Sequence, residues 1–349
     1  MTVESWIASY FESLNKPDSA IGKSEALALK CSNFPKALFR YRSVERLAYC
    51  LEELRDGYVF LNNPDAFNDP YDSALSTSLE RFFSQALEPY GYGDPSTVSE
   101  FIESIDKEAK EHLHMEGKLF QNSFLYFFSS LIRMRYGMNP QDQDQDLFSA
   151  LRNVVRVSCF TTNSNSVVMW SHYAKQHTGI CIEFSGSSMV ASAEFFELVH
   201  PVRYAEKLFD FTQVFSFSAP EADAEYGPVL AACHKSKEWE YENEWRLVST
   251  DPKRQKEPKF SLNACGIKPG RIILGARIDQ ADRAAIEDVA RKISVPVVQA
   301  KLAKDRFAIE LEASTKSYHS FEFLIFITLY LNVTIFCCFG YLPPIFSAA

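Results

Sequence analysis

The sequence predicts an α+β protein built on a mixed, mainly antiparallel sheet, with a helical insertion and a hydrophobic C-terminal tail. Strand–helix–strand patterns near the start and at the end of the main domain predict this class. The 349 residues are 46% hydrophobic, which is ample for a substantial core. Aromatic residues make up 14% of the chain, which indicates a densely packed interior or an aromatic-lined cleft.

Residues 1–36 predict a helical lead-in, and residues 37–314 the main α+β domain. In the lead-in, WIASYFESL carries apolar residues at helical spacing. In the domain, ALFRYRS predicts a strand, VERLAYCLEELRD an amphipathic helix that ends at Gly57, and YVFL a second strand. Residues 62–72, NNPDAFNDPYD, are dense in turn formers and predict a loop.

A helical insertion is predicted over about residues 79–138, followed by the polar linker NPQDQDQD. A second unit then begins with the strand VVRVSCF, N-cap candidates at Ser164 and Asn165, the helix VVMWSHYAKQ and the strand ICIEF. The second half of WEYENEWRLVS has strand character. The segments RIILG, DQADRAAIEDVARKI and VPVVQAKL then predict strand, helix and strand.

The tail, residues 315–349, has no charged residue from Phe323 onward, and residues 323–342 are about as long as a membrane-spanning helix. Two interpretations stay open: a tail anchor, or a strain-specific extension. Polar residues within the run and the lack of flanking Lys or Arg on the far side oppose an anchor. No secretory signal is visible at the N-terminus, so the sequence predicts a cytoplasmic protein with membrane contact through this tail alone.

Charge and motif spacing argue against several classes of protein. The net charge of −9 is spread along the chain and leaves no basic face for nucleic acid. The eight cysteines lack metal-site spacing and are expected to be reduced thiols. Gly91-Tyr92-Gly93 is not a dinucleotide fingerprint, and P-loop and nucleophile-elbow motifs are missing. His172 and His177 diverge by about 140° on a helix, so no metal is expected.

The first of three polar clusters follows the first predicted strand. Arg40, Tyr41 and Arg42 stand on that strand, and Asn68 and Asp69 stand in the loop beyond the second strand. An arginine here can bind a phosphate or carboxylate in a bidentate manner. Asn68 and Asp69 can equally well close an Asx turn, and both interpretations stay open.

The second cluster, on the helix VVMWSHYAKQ, contains Trp170, His172 and Tyr173. The two aromatic residues are typical of a core, whereas His172 beside them is a candidate hydrogen-bonding group in a cleft. The helix therefore predicts either core packing or a ligand-lining edge.

The third cluster contains Glu242, Glu244 and Arg246. On a strand these alternate with Asn243 and Trp245, so all three project from one face. Two carboxylates beside an arginine can bind a ribose hydroxyl or act as a base. A solvated, salt-bridged strand face is the alternative.

The ordered set of FRYRS with FNDPYD, then MWSHYAKQHTGICIEF, then EWEYENEWRL resembles the bacterial domain-of-unknown-function family DUF2971. The resemblance covers about residues 37–309, and the chain after about Ser314 departs from it. The layout is also distantly similar to the ADP-ribosyltransferase fold, an analogy of fold alone. That similarity implies an enzyme that uses NAD as co-substrate in a toxin or phage-defence context, with an unidentified macromolecular acceptor.

Position by position, the similarity assigns NAD binding to Arg40 or Arg42, stacking to Tyr41, Trp170 or Tyr173, and the catalytic carboxylate to Glu244. The full predicted site has the catalytic residues Glu244, His172 and Arg42 and the NAD-binding residues Arg40, Tyr41, Asn68, Asp69, Trp170, Tyr173, Glu242 and Arg246. Two alternatives stay open. One is a non-catalytic module that binds a nucleotide or peptide, and the other is a metal-free nuclease or hydrolase using His172 with Glu242 or Glu244.

Overall fold

A computed structural model of the protein describes residues 3–16, 19–76, 78–88, 94–113, 152–214 and 226–312. The predicted tail, the polar linker and residues 114–138 of the predicted insertion lie outside these ranges. None of the helices within them has the length and apolar character needed to cross a membrane. The division into lead-in, main domain and tail stays a prediction.

The described residues form short strands and helices in mixed order. The strands β1 to β14 cover Ala37–Arg42, Tyr58–Phe60, Leu75–Ser76, Arg156–Thr161, Ile180–Ser185, Val199–Pro201, Arg203–Ala205, Phe209–Asp210, His234–Ser236, Glu244–Ser249, Lys259–Ser261, Pro269–Leu274, Val297–Leu302 and Ile309–Leu311. The α-helices α1 to α11 cover Val3–Leu14, Ser19–Asn33, Leu47–Asp56, Leu79–Leu87, Pro95–Leu113, Val167–His172, Gly186–Ala191, Ala193–Leu198, Gly227–Ala232, Lys253–Lys256 and Gln280–Lys292. Short 3₁₀ helices cover Val44–Arg46, Pro64–Ala66, Phe211–Val214 and Lys237–Glu242.

Eight strands form the main sheet in the order β14-β13-β12-β5-β1-β4-β10-β6. The pair β12 and β13 is parallel and is connected through α11, whereas the other neighbouring pairs are antiparallel. This arrangement confirms the predicted mixed, mainly antiparallel α+β fold. The predicted strand β2 is real, but it pairs with β11 outside the main sheet.

The two faces of the sheet carry different side chains because residues alternate along a strand. On β1, Leu38 belongs to the main hydrophobic core, whereas Phe39 and Tyr41 belong to a smaller core on the opposite face. Helices α3, α7, α8 and α11 contribute to the main core. We call the opposite side the second face. Met169 and Trp170 of α6 cover it beside β1.

Local signals fix the ends of several elements. Gly57 ends α3 in the left-handed region, at φ 65°, as its sequence position predicts. The cap of α6 is Ser166, whose hydroxyl accepts the Met169 N–H, so the predicted caps at Ser164 and Asn165 were wrong by one or two residues. The helix ends at His172, earlier than predicted, because a run of residues with positive φ follows it.

The strand β10 begins at Glu244, so it does not include Glu242, which the sequence pattern placed on the same strand as Glu244 and Arg246. Residues Lys237–Glu242 form a 3₁₀ helix, and Asn243 adopts left-handed backbone angles with φ 45°. The extended chain then starts at Glu244. This turn places the Glu242 side chain before the strand, next to the face on which Glu244 and Arg246 lie.

Candidate functional site

Five buried charged side chains meet on the second face of the sheet and form what we call the Lys235 cluster. Glu244 and Arg246 share that face with Tyr41, since Glu244 and Phe39 both stand opposite Thr161 of β4. None of the five is more than 7% exposed. The members of the cluster are Asp72, Lys235, Glu242, Glu244 and Arg246.

Arg246 is the fully buried centre of one half of the cluster. Its two terminal nitrogens each donate to one oxygen of Asp72, at 2.7 Å. Its Nε and Nη2 donate to the two oxygens of Glu244, at 2.9 and 3.0 Å. Such bidentate pairs fix geometry as well as charge. Arg246 therefore connects the loop around Asp72 to β10, and both oxygens of Glu244 are occupied.

Lys235 of β9 is the centre of the other half. Its ammonium donates to Glu242 at 2.5 Å and to Glu244 at 3.0 Å, and it lies 3.7 Å from Asp72. The Tyr173 hydroxyl donates to the second oxygen of Glu242 at 2.6 Å. Three carboxylates thus surround one lysine, and Glu242 connects the cluster to α6.

The two neighbouring glutamates have opposite pKa shifts. Burial raises the pKa of Glu242, and the negative charge of Glu244 adds to that effect. Burial would also raise the pKa of Glu244, but the charges of Arg246 and Lys235 outweigh it and lower the pKa to about 2. Glu244 is therefore ionised at neutral pH, whereas the Glu242 carboxylate takes up a proton more readily than an ordinary glutamate.

The carboxylates of the cluster also shift the pKa values of Lys235 and Tyr173. Burial would lower the pKa of Lys235, but the surrounding carboxylates, with Glu244 first, raise it above its usual range. Burial, followed by the charge of Glu242, raises the pKa of Tyr173. Both groups therefore stay protonated at neutral pH and act as hydrogen-bond donors to Glu242.

A cavity of about 110 Å³ lies against the Lys235 cluster. Its lining combines charged cluster members with aromatic and small polar side chains. The lining residues are Phe39, Tyr41, Phe67, Asn68, Asp72, Cys159, Phe160, Thr161, Met169, Tyr173, Lys235, Glu242 and Glu244.

Five of the predicted site residues line this cavity, and a sixth lies in the cluster beside it. They come from all three of the polar clusters seen in the sequence. The cavity residues are Tyr41, Asn68, Tyr173, Glu242 and Glu244, and the sixth is Arg246.

Arg40 and Arg42 lie away from the cavity. Glu53 of α3 pairs with Arg40 at 3.4 Å and with Arg42 at 2.9 Å, and Arg40 also donates to the Ser158 hydroxyl. The alternation of β1 puts these arginines on the face opposite to Tyr41. The three consecutive residues therefore do not form one site. Arg40, Arg42 and Glu53 are called the Glu53 cluster below.

The remaining predicted residues lie around the cavity without lining it. Trp170 is fully buried, and its indole N–H donates to the Ser164 carbonyl at 2.8 Å, as in a core residue. His172 is exposed, and its ring lies 6.5 Å from that of Trp239. Asp69 accepts the Tyr71 backbone N–H at 2.9 Å and so closes an Asx turn.

Two members of the Lys235 cluster were missed in the sequence. Asp72 stands at the end of the loop that carries Asn68 and Asp69, but nothing in the local pattern marks it as buried. Lys235 follows an apolar helix on the short strand β9, where a lysine usually indicates a solvent-exposed position. Its aromatic neighbour Trp239, whose ring lies 5.0 Å from the ammonium, was the available signal of burial.

Within the described ranges, His, Cys, Asp and Glu side chains form no group of three or more that could hold a metal ion. In the Lys235 cluster the space between the carboxylates is taken by the lysine ammonium. A cofactor that suits this donor set is an organic molecule with hydroxyl or cationic groups.

Fold and site thus define an α+β protein with a buried charge cluster beside an aromatic-lined cavity. Residues 169–247 match the model of the family described as "Protein of unknown function (DUF2971)". This segment contains two of the three motifs on which the resemblance rests and four of the five cluster residues, with Asp72 outside it. No curated protein and no solved structure matches the chain.

Proposed function

We propose that the cavity is the active site of an ADP-ribosyltransferase-like enzyme that uses NAD as co-substrate, with Glu242 as the carboxylate that holds the ribose. The observation that carries this proposal is the position of Glu242. It lines the cavity, and it holds its two donors, Tyr173 and Lys235, at 2.6 and 2.5 Å. A carboxylate in this setting suits a ribose hydroxyl, which donates a hydrogen bond to it.

Glu242 replaces Glu244 as the proposed catalytic residue. Glu244 already accepts two hydrogen bonds from Arg246 and one from Lys235, whereas Glu242 accepts one each from Tyr173 and Lys235, so Glu242 keeps more of its acceptor sites for a substrate hydroxyl. Glu244 instead orients the lysine that contacts Glu242. Of the aromatic residues expected to stack, Tyr41 and Tyr173 line the cavity and keep that role in the proposal.

In this role Glu242 accepts a hydrogen bond from the ribose, and its charge stabilises the positive charge that develops on the sugar. The bond from the sugar to nicotinamide breaks with its electron pair on nicotinamide, and the acceptor nucleophile bonds to the same carbon and gives up its proton. The cavity is smaller than the ~300–1,000 Å³ of complete ligand pockets. It therefore suits one ring of NAD, and the remainder lies outside.

The test is NAD binding and turnover by the full chain, measured by thermal shift and by release of nicotinamide. A ligand at about 100 times its Kd stabilises the folded state by about 2.7 kcal/mol, which gives a visible shift of the midpoint. We expect Glu242→Gln to lower turnover by at least about 100-fold while the unfolding midpoint without NAD stays within a few degrees.

The matched control is Glu238→Gln, which removes the same charge from an exposed position of the same 3₁₀ helix. It should turn over NAD like the wild type. The proposal fails if about 1 mM NAD neither shifts the wild-type midpoint nor is consumed with candidate acceptors present.

A second candidate function is a binding module without chemistry. It is favoured by one observation, that both Glu242 oxygens already accept a hydrogen bond. It predicts that NAD or another nucleotide shifts the midpoint without being consumed. A metal-free hydrolase is less well supported, since His172 forms no hydrogen bond to Glu242 or Glu244 in the described structure.

A further inference from the structure

The Lys235 cluster carries more negative than positive charge. Arg246 is shared by Asp72 and Glu244, and Lys235 is the other cation. Against these two cations stand three carboxylates, since Glu242 is the third. With all five groups ionised, the cluster has a net charge of −1 on side chains that are at most 7% exposed. An uncompensated buried charge is costly unless a partner neutralises it.

The other described residues that line the cavity supply no positive charge. They are aromatic, aliphatic, amide, hydroxyl or thiol side chains. The Cys159 thiol has its pKa raised by burial and by Glu244, and the pKa of Tyr41 is raised by burial, so both remain neutral. A proton on Glu242 or a cationic ligand in the cavity would neutralise the excess charge.

The walls of the cavity also favour a cation. Tyr41, Phe67 and Tyr173 line it beside the glutamates, together with Phe39. The face of an aromatic ring attracts a cation, and the attraction grows when water is excluded. Aromatic walls next to a cluster with one excess negative charge therefore suit a positively charged group that also has an apolar surface.

Size and geometry limit which cation fits. A cavity of about 10–15 Å³ holds one water, so this cavity of about 110 Å³ has room for roughly seven to eleven water-sized groups. The position between the carboxylates is occupied by the Lys235 ammonium, which leaves Glu242 at the cavity wall. A single small ring or a substituted ammonium matches this room.

We infer that the cavity selects the positively charged head of a small organic cation, an ammonium, guanidinium or pyridinium group, which pairs with Glu242 against the aromatic walls. The inference deepens the proposed function and rests on the same site. Under that proposal, the head is the cationic nicotinamide ring of oxidised NAD. The reduced cofactor, whose ring is neutral, should be a poor ligand.

The experiment uses a matched pair of probes, the cation 1-methylnicotinamide and the neutral nicotinamide, titrated into the full chain by calorimetry. We expect the cation to bind at least about tenfold more tightly than nicotinamide to the wild type and to Glu238→Gln. In Glu242→Gln, the affinity for the cation should fall about tenfold or more, and the two probes should bind alike. Circular dichroism and the unfolding midpoint establish that each variant is folded.

Equal affinity of the two probes for the wild type, or a preference for the cation that survives in Glu242→Gln, overturns the inference. If Glu242→Gln does not fold, the affinities of the wild type for oxidised and for reduced NAD are compared instead. Equal affinities overturn the inference. Cation selectivity without NAD turnover retains this inference and removes the transferase. NAD turnover that depends on Glu242, without any preference for the cation, retains the transferase and removes this inference.

Discussion

The two faces of the main sheet each bury a charge cluster, and the two clusters differ in sign and in the space beside them. The Glu53 cluster has two arginines and one carboxylate, and its cavity of about 10 Å³ holds one water at most. The Lys235 cluster has an excess of one carboxylate and borders about 110 Å³.

The comparison teaches that buried charge alone does not identify a functional site. Arg40 is as deeply buried as Glu244, yet it connects β1 to α3 and to Ser158, with no room for a ligand. Glu242 is equally buried but stands at the wall of a cavity. Uncompensated charge next to usable space is what distinguishes the second face.

The largest expected effect comes from Arg246→Met, which removes one of the two cations of the Lys235 cluster. The substitution leaves Asp72, Glu242 and Glu244 with one cation, and breaking a buried pair by removing one partner costs about 3–5 kcal/mol. Urea unfolding should show this loss in the free energy of unfolding. The exposed Arg283→Met is the control and should leave the urea midpoint unchanged. A loss below about 1 kcal/mol for Arg246→Met would show that the cluster is not structural.

An intermediate effect is expected from Glu53→Gln in the Glu53 cluster. It leaves Arg40 buried without its carboxylate, and an unsatisfied buried group costs about 1–3 kcal/mol. Part of the cost is relieved because the Arg42 side chain is 26% exposed. Glu52→Gln, a half-exposed position of the same helix that pairs with Lys259 at 2.6 Å, is the control and should lower the urea midpoint less than Glu53→Gln does. The same Glu53→Gln variant should bind NAD and 1-methylnicotinamide with the affinity of the wild type.

The smallest effect is a pH dependence that separates Glu242 from its neighbours. Because its pKa is raised in the folded protein, Glu242 stabilises the fold most below its ordinary pKa of 4.5, and this contribution falls as pH rises through the raised value. In that range Glu244 stays ionised, since its pKa is about 2, and Lys235, Arg246 and Tyr173 stay protonated because their pKa values are raised.

The free energy of unfolding of the wild type minus that of Glu242→Gln should therefore fall as the pH rises above the ordinary glutamate pKa of 4.5. Urea titrations at several pH values measure this difference. The wild-type free energy of unfolding minus that of Glu238→Gln is the control, and it should stay constant over the same pH range. A flat difference for Glu242→Gln as well would mean that folding leaves the pKa of Glu242 unchanged.

Much of the fold was predictable because its elements carry strong local signals. The apolar runs of β5 and β12, the amphipathic α11 and the glycine after α3 each determine their own structure. The start of β10 was not predictable, because Asn243 takes left-handed angles that depend on its surroundings. Pairing between distant strands also leaves no trace in a single sequence.

The site was predictable in part. The sequence correctly placed Tyr173 near the glutamates. The alternation of side chains along β10 also correctly put Glu244 and Arg246 on one face. The same alternation, applied to β1, would have separated Arg40 and Arg42 from Tyr41. Lys235 was missed because its burial depends on carboxylates from a loop and from β10, and the nearby Trp239 was only a weak local signal of that burial.

The bond between Arg246 and Asp72 also bears on how the protein is made. The two residues are 174 positions apart in the chain. At about 5–20 residues per second, a ribosome needs roughly 10–35 s to add the arginine after the aspartate. During that interval Asp72 lacks Arg246 as its partner, and neither face of β10 exists to close the cavity. The Lys235 cluster is therefore a late product of synthesis, formed after β1 and α3 have had time to associate locally.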